Sequence, residues 1–162
     1  MITIRKAGTL DAQGMADLLN EIIDIGGTTA IVEQVDRNTL LEWMAHAAHQ
    51  SAWHVAETES GEILGFQFVE PRKGLPADAC DIATFVRVGY SGHGTASKLF
   101  EQTKAAARAL GYRWINATIL ADNAGGLAYY QSRGFEDYRH HPNVPLADGQ
   151  TVDRISKRYD LD

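Results

Sequence analysis

The chain has 162 residues, a formal net charge of −6 at pH 7 and one cysteine, Cys80. This length predicts one domain, residues 1–162, large enough to bury a core without a disulfide or a metal. The acidic balance argues against a nucleic-acid partner, because phosphate contacts need clustered Lys and Arg. The lone cysteine excludes an intramolecular disulfide and fits a reducing compartment, so we expect a cytoplasmic location.

Membrane and metal-binding classes are also disfavoured by the sequence. No apolar run approaches the ~20 residues that a membrane-spanning helix needs, so we expect no membrane partner. No set of Cys and His residues has zinc-ligand spacing, and the adjacent His140 and His141 need not converge on one ion. We therefore expect no metal.

Apolar periodicity and turn residues predict secondary-structure elements in the order β-α-α-β-β-β-α-β-α-β-β. The predicted strands are residues 1–7, 53–58, 63–70, 82–88, 114–120, 135–139 and 151–159. The predicted helices begin at Thr9 or Asp11, at Asp36 or Asn38, near Gly94 or Thr95, and near Gly125. Residues 26–30, 71–79 and 140–150 are predicted loops. Hairpins combined with a β-α-β crossover predict an α/β (α+β) domain of three layers around a mixed, mostly antiparallel sheet.

The most informative stretch runs from Asp81 to Leu110 and reads as a strand, a glycine-spaced turn and a helix. Such a unit directs backbone N–H groups and the positive end of a helix dipole at one point, which is typical of a phosphate site. The turn lacks the Gly-Lys-Ser/Thr of a P-loop and the glycine spacing of a dinucleotide fingerprint. Without further context, a tight turn alone would also explain these glycines.

A second motif spans Asn123 to Phe135. Asn123 opens a short helix, Tyr130 lies about two turns later on the same face, and Gly134-Phe135 leads into a strand. Taken singly, these residues fit a capping Asn, a packed aromatic and a terminal glycine.

Together, and separated by one strand, the two motifs resemble those of the GCN5-related N-acetyltransferase (GNAT) superfamily. The phosphate loop of that family has Arg or Gln, two residues, Gly, one residue, then Gly or Ala. We place the pattern on Gly89, Gly92 and Gly94. Gly89 departs from it, which makes Arg87 or Lys98 a candidate substitute cation. The Asn-to-Tyr-to-Gly-Phe spacing matches without departure.

The resemblance implies that the chain is an N-acetyltransferase with acetyl-CoA as cosubstrate. The pyrophosphate would lie on the amides of about His93 to Ala96, and the pantetheine arm along the strand at Phe85 to Val88. An N–H near Val86 would polarise the thioester carbonyl. The implied cofactor-binding residues are Phe85, Val86, Arg87, Val88, Gly92, His93, Gly94, Thr95, Ala96, Asn123 and Tyr130.

Direct attack by the acceptor amine is implied, with no covalent enzyme intermediate and no nucleophilic role for Cys80. Tyr130 matches the family tyrosine that protonates the departing thiolate. Glu70 is the first candidate for the base that takes the amine proton, and Asp81, His93 and Asp24 are alternatives. Each of these four also has an ordinary surface interpretation.

The family builds its acceptor pocket from the loop between the first two helices and from the late strands. Here that implies residues 26–30, 70–78 and 140–150, with Thr28 and Thr29 as candidate substrate-binding hydroxyls. The expected function is transfer of an acetyl group to a small-molecule amine, with a faint resemblance to phosphinothricin-type enzymes. A CoA-binding module without turnover and a protein or peptide N-acetyltransferase remain alternatives. A homodimer through the C-terminal strands is also expected from the resemblance.

Overall fold

The computed structural model describes residues 1–90 and 94–161. Four helices and seven strands form in the predicted order within these residues. The strands are β1 (Thr3–Lys6), β2 (Ala52–Glu57), β3 (Ile63–Glu70), β4 (Ala79–Val86), β5 (Trp114–Leu120), β6 (Glu136–Pro145) and β7 (Thr151–Asp160). The helices are α1 (Ala12–Ile25), α2 (Arg37–Ala45), α3 (Thr95–Ala109) and α4 (Ala124–Ser132).

The strands form one sheet in the order β1-β2-β3-β4-β5-β7-β6. The pair β4–β5 is parallel and every other neighbouring pair is antiparallel, as predicted for a mixed, mostly antiparallel sheet. Helix α3 supplies the crossover between the two parallel strands. Leu64 of β3 is an extra residue opposite Ala56 and Glu57 of β2, which forms a β-bulge next to Gly65.

Helices cover both faces of the sheet, which gives the three layers. One face packs against α1 and α2, and the other against α3 and α4. The core on the α1/α2 face includes Met15, Leu18, Leu19, Leu40, Trp53, Phe66, Phe68 and Phe85. The core on the α3/α4 face includes Val69, Cys80, Ile82, Phe100, Ile115, Tyr130 and Phe135. Side chains alternate along β4, so Phe85 and its odd-numbered neighbours face α1 and α2, whereas Ile82 and its even-numbered neighbours face α3 and α4.

Helix boundaries follow local signals that the sequence shows. Asp36 caps α2, because its carboxylate accepts a hydrogen bond from the Thr39 amide at 2.8 Å. Helix α1 ends at Gly26, whose φ of 77° suits glycine far better than other residues. Asp11 does not cap α1 through its side chain, because its carboxylate instead binds Arg5 and the Gly8 amide.

Two predicted boundaries are wrong. Strand β4 begins at Ala79 and ends at Val86, so it starts three residues before Ile82 and does not reach Val88. The predicted 140–150 loop is mostly strand, because β6 continues to Pro145 and only residues 146–150 remain as the turn. Strand β6 lies at the sheet edge, where a proline without an N–H costs no ladder hydrogen bond, and two register shifts absorb the irregularity.

Among the described residues, no helix combines the length and the apolar character that a bilayer crossing requires.

Candidate active site

The candidate site lies where β4 and β5 separate. The two strands pair only from Ala79 with Trp114 to Asp81 with Asn116. Beyond Asp81, β4 continues along β3 and β5 continues along β7, which leaves a wedge-shaped gap between them. An opening at the carboxyl ends of parallel strands is a usual position for a ligand.

The backbone of β4 directs hydrogen-bonding groups into this gap. Just past the end of β4, the Arg87 amide donates to the Leu64 carbonyl at 2.8 Å, next to the register pair of Val86 with Gly65. Because an antiparallel strand alternates its bonding direction, Phe85 bonds toward β3 in the same way and Thr84 and Val86 point their N–H and C=O groups away from β3. These two residues therefore present their backbone to the gap, beyond the last β4–β5 pair.

Two tyrosines close the α3/α4 side of the gap. The Tyr130 hydroxyl lies 2.7 Å from the Thr84 hydroxyl, and the phenol is 6% exposed. Burial raises the pKa of Tyr130 well above its usual value, so the phenol stays protonated at neutral pH. The Tyr129 hydroxyl donates to the Ala96 carbonyl at 2.7 Å, and burial raises the pKa of Tyr129 to about 12.

Carboxylates lie on the opposite face of the sheet. Asp81 accepts hydrogen bonds from Asn116 at 2.8 Å and from Arg72 at 3.1 Å. Burial raises the pKa of Asp81 despite both contacts. Glu70 is the register partner of Asp81, and burial raises its pKa as well, with a further contribution from the negative charge of Asp81.

A polar chain that the sequence analysis did not select continues from Asp81 across β5, β7 and β6. The Tyr138 hydroxyl bonds the Asn116 side-chain oxygen, and the Asn116 amide also donates to Thr118 at 3.0 Å. Thr118 contacts the Ser156 hydroxyl at 2.8 Å, and His141 contacts the same hydroxyl at 2.8 Å. Alternating polar residues in the otherwise apolar strand β5, at 116 and 118, were the available signal in the sequence.

The phosphate end of the site is described only from Gly94 onward, so the predictions for Gly92 and His93 lie outside the described residues. Gly94 adopts φ 74° at the start of α3, and no described atom lies within 4 Å of a Cβ built on it. The last two positions of the family pattern also fit two residues later in the sequence, on Gly94 and Ala96, which flank Thr95, the first residue of α3; the Arg-or-Gln position then falls on Ser91. This alignment places both small residues at the start of α3, whereas Gly89 lies five residues before Gly94.

The two candidate substitute cations differ in their surroundings. The Arg87 guanidinium is paired with Glu21 at 3.1 Å and also contacts the Glu62 carboxylate. Lys98 is exposed in the second turn of α3, and its ammonium forms no ion pair with another described residue. The charge of Arg87 is therefore already paired, whereas no described carboxylate pairs with that of Lys98.

The loop between α1 and α2 reaches the start of α4. The Asn123 side chain caps α4 by accepting from the Gly126 amide at 3.1 Å, and it donates to the Thr28 carbonyl at 3.2 Å. The Thr29 hydroxyl accepts from the Ile31 amide at 3.1 Å. Asp24, a candidate base, instead bonds the Gln34 amide group at 2.6 Å. The structure thus brings Thr28 and Asn123 together, whereas the Asp24 carboxylate is hydrogen-bonded to Gln34.

Cys80 and metal ions offer no alternative chemistry in the described part of the chain. Cys80 is fully buried, and burial raises the pKa of its thiol to about 12, so the thiolate needed for nucleophilic attack is not formed at neutral pH. No group of three or more His, Cys, Asp or Glu residues within 1–90 and 94–161 could hold a metal ion.

These features fit acetyl-CoA. The free backbone of Thr84 and Val86 can pair with an extended amide-bearing arm, as a neighbouring strand would. The open space at Gly94 and the start of α3 suit the pyrophosphate, since helix N-termini bind anions. The gap, a buried phenol and carboxylates on the opposite face are also compatible with acyl transfer to an amine.

Comparison with known proteins agrees with this class. Residues 49–137, more than half of the chain, match the model of the acetyltransferase (GNAT) domain. The chain belongs to the GNAT family: it is an N-acetyltransferase whose cosubstrate is acetyl-CoA. No curated protein sequence matches it.

Solved structures share the whole fold. For yncA of Salmonella typhimurium, solved with its cofactor acetyl-CoA, the TM-score is 0.88 at 22% identity over 100% of this chain and 95% of that one. A phosphinothricin acetyltransferase from Sinorhizobium meliloti, in complex with acetyl-CoA, gives 0.87 at 18% identity over 99% and 88%. A ribosomal-protein-alanine N-acetyltransferase from Brucella melitensis gives 0.88 at 22% identity over 98% and 99%. These likenesses show the fold, which serves different acceptors.

Proposed function

We propose that the whole chain acts as one N-acetyltransferase domain that moves the acetyl group of acetyl-CoA to the amine of a small molecule. The observation that carries this proposal is the gap between β4 and β5, with Tyr130 on one face of the sheet and Asp81 on the other. Acetyl-CoA supplies an acetyl group already activated as a thioester. Amine and thioester would then meet in the gap in one ternary complex.

The backbone N–H groups of Thr84 and Val86 are proposed to bind the pantetheine arm and the thioester oxygen. A donor aimed at the oxygen on which charge develops stabilises the transition state, and loss of one such donor costs about 2.7–4 kcal/mol in other enzymes. Thr95 and Ala96, at the first turn of α3, would hold the pyrophosphate together with Gly92, His93 and Gly94. Lys98 would add a positive charge.

We assign the amine proton to the carboxylate pair Asp81 and Glu70. Asp81 lies at the last β4–β5 pair and therefore borders the gap, whereas Glu70 lies one strand further away. A base must first be within reach of the proton, and only then does its pKa matter. We therefore propose that Asp81 lies next to the amine and takes its proton, and that Glu70 receives the proton from Asp81 directly or through water. Their raised pKa values make both better proton acceptors than ordinary carboxylates.

Tyr130 is proposed to protonate the departing thiolate. Its phenol is buried and protonated at neutral pH, and it borders the gap next to Thr84, whose backbone lines it. A proton delivered in the transition state by a positioned group is typically worth about 10²- to 10⁴-fold in rate.

A small, polar acceptor is supported by what surrounds the carboxylates. The hydrogen bond between Asn123 and Thr28 draws the α1–α2 loop toward the gap, which narrows access for a long peptide. Asn116, Ser156 and Tyr138 offer hydrogen-bonding groups beside Asp81. The net charge of −6 favours a cationic amine in the encounter.

A thiol-release assay tests this function. Purified protein is mixed with acetyl-CoA and a panel of amino acids, polyamines, aminoglycosides and N-terminal peptides, and free CoA thiol is followed. We expect release with at least one small amine, and we expect Tyr130→Phe to lower kcat about 100-fold or more while the Kd for acetyl-CoA changes less than about threefold. Tyr159→Phe, which removes a hydroxyl outside the gap, is the matched control.

The panel also separates the alternatives. Release with peptides alone would assign the chain to protein acetylation. A saturable thermal shift with CoA, but no release with any acceptor, would support a binding module without turnover.

A further inference from the structure

A row of polar side chains crosses the buried side of the sheet beneath α3. His54 on β2, Gln67 on β3 and Thr84 on β4 are register neighbours on the α3/α4 face. Gln67 is fully buried, although a buried polar group is costly unless it is hydrogen-bonded. Its amide nitrogen donates to the Thr84 hydroxyl at 2.9 Å and to the Tyr129 hydroxyl at 3.3 Å.

The hydrogen atoms of this network can be counted. The Thr84 oxygen accepts from Gln67, and its other contact among the described residues is the Tyr130 oxygen at 2.7 Å. Among the described residues, the Tyr130 oxygen is then the acceptor left for the Thr84 proton, so we assign Thr84 as the donor in this pair. Tyr129 directs its own proton to the Ala96 carbonyl, so it does not compete for that oxygen.

This donor order has a chemical consequence. Since the Tyr130 oxygen accepts from Thr84, the phenolic proton is not donated to another described residue and can point into the gap. After the phenol gives up that proton, the same Thr84 donor stabilises the phenolate, and hydrogen bonds to charged groups are the stronger kind.

We propose that Thr84 and Gln67 are positioning residues that aim the phenolic proton of Tyr130 at the leaving group. This inference rests on the proposed role of Tyr130 as the acid. Neither side chain is proposed to contact the substrates: Gln67 orients Thr84, and Thr84 orients Tyr130. The backbone N–H of Thr84, which faces the gap, is a separate contribution that a side-chain substitution leaves in place.

Gln67 also reaches the phosphate end of the site. Its bond to Tyr129, and that of Tyr129 to the Ala96 carbonyl in the first turn of α3, join the acid to the start of the helix proposed to hold the pyrophosphate. Replacing Gln67 should therefore disturb acetyl-CoA binding as well as turnover, whereas replacing Thr84 should disturb turnover alone.

A double-mutant cycle tests the inference with the full-length protein, acetyl-CoA and an amine found active by thiol release. The four proteins are the wild type, Thr84→Val, Tyr130→Phe and the double variant. Thr84→Val keeps the side-chain shape but lacks the hydroxyl, and we expect it to lower kcat about ten- to a hundredfold with the KM for acetyl-CoA within about twofold. In the Tyr130→Phe background, the same substitution should lower kcat less than about twofold, because groups that act as a unit are not additive.

Thr84→Ser is the matched control, because it restores the hydroxyl and should recover kcat to within about threefold of the wild type. Melting temperatures of all variants report folding separately. Equal losses from Thr84→Val in both backgrounds would overturn the positioning role, as would failure of Thr84→Ser to restore kcat in a folded protein. A Tyr130→Phe enzyme with normal kcat would instead reject the acid itself, and this inference with it.

Discussion

Glu70 on β3 and Asp81 on β4 are direct partners across the antiparallel ladder, on the sheet face that looks toward α1 and α2. Two carboxylates this close disfavour each other's ionisation, and the negative charge of Asp81 indeed adds to the burial that raises the pKa of Glu70. Of the two carboxylates, Asp81 accepts the described hydrogen bonds from Arg72 and Asn116, so the two carboxyl groups are not equivalent. This asymmetry agrees with the proposed order of proton transfer, in which Asp81 lies next to the amine and takes its proton first, and Glu70 receives it afterwards.

The first prediction concerns this pair. Asp81→Asn should lower kcat/KM about 100-fold or more, and Glu70→Gln about tenfold, with acetyl-CoA affinity unchanged. A base must be deprotonated to act, so kcat/KM of the wild type should fall as pH falls through the raised pKa values, above the 3.8 and 4.5 of ordinary Asp and Glu. Initial rates from pH 4.5 to 9 measure this.

Asp17→Asn, on the exposed face of α1, is the control for this prediction and should leave kcat/KM unchanged. A larger loss in Glu70→Gln than in Asp81→Asn would reverse the assignment.

The second prediction compares two glycines that both have a positive φ but lie at different distances from α3. Gly94 and Gly89 have φ values of 74° and 94°, and both have open space where a Cβ would stand. Alanine at either position should cost about 1 kcal/mol of unfolding free energy, because L-residues disfavour this region. Gly94→Ala should also weaken acetyl-CoA binding about tenfold, since Gly94 begins α3. Calorimetric titration measures the difference, and equal affinity in both variants would remove Gly94 from the phosphate site.

The sequence predicted the order of elements well because most helices and strands carry their own local signals. Asp36 at the start of α2, Gly26 at the end of α1 and the apolar run of β3 are examples. The course of β6 was missed, since its two prolines are tolerated only because the strand lies at the sheet edge, which no short segment reveals.

The candidate site shows the same division between local and long-range information. Tyr130 and Asn123 lie in one contiguous motif, so a pattern could select them. Asn116, Ser156 and His141 come from three strands and meet only through the register of β5, β7 and β6. The proposal that Asp81 lies nearer the amine than Glu70 depends on the point at which β4 leaves β5, which is a property of the sheet and not of either strand.

The third prediction uses the two hydrogen bonds of Asn123. Asn123→Asp keeps an oxygen for the Gly126 amide and so preserves the cap of α4, but it loses the donor to the Thr28 carbonyl. We expect the KM for the amine to rise about two- to tenfold, the usual worth of one hydrogen bond, with little change in melting temperature. Asn123→Ala removes both bonds and should also lower the stability by about 1 kcal/mol. Steady-state kinetics and thermal melts distinguish the two, and an unchanged KM in both variants would exclude the loop contact from acceptor binding.

The fourth prediction concerns stability and pH. His54 is 4% exposed, its Nδ1 has no hydrogen-bond partner among the described residues, and burial followed by the charge of Lys6 lowers its pKa below 6.5. The unfolded chain therefore takes up a proton at higher pH than the folded one. The unfolding free energy should be highest above about pH 7 and fall, by up to ~1.4 kcal/mol per pH unit, as pH drops below the unfolded pKa. Thermal melts between pH 7.5 and 5.5 should show a shallower decline for His54→Leu than for the wild type, whereas His49→Gln, at an exposed position, should follow the wild type. Parallel declines in all three proteins would mean that His54 is not the group that titrates.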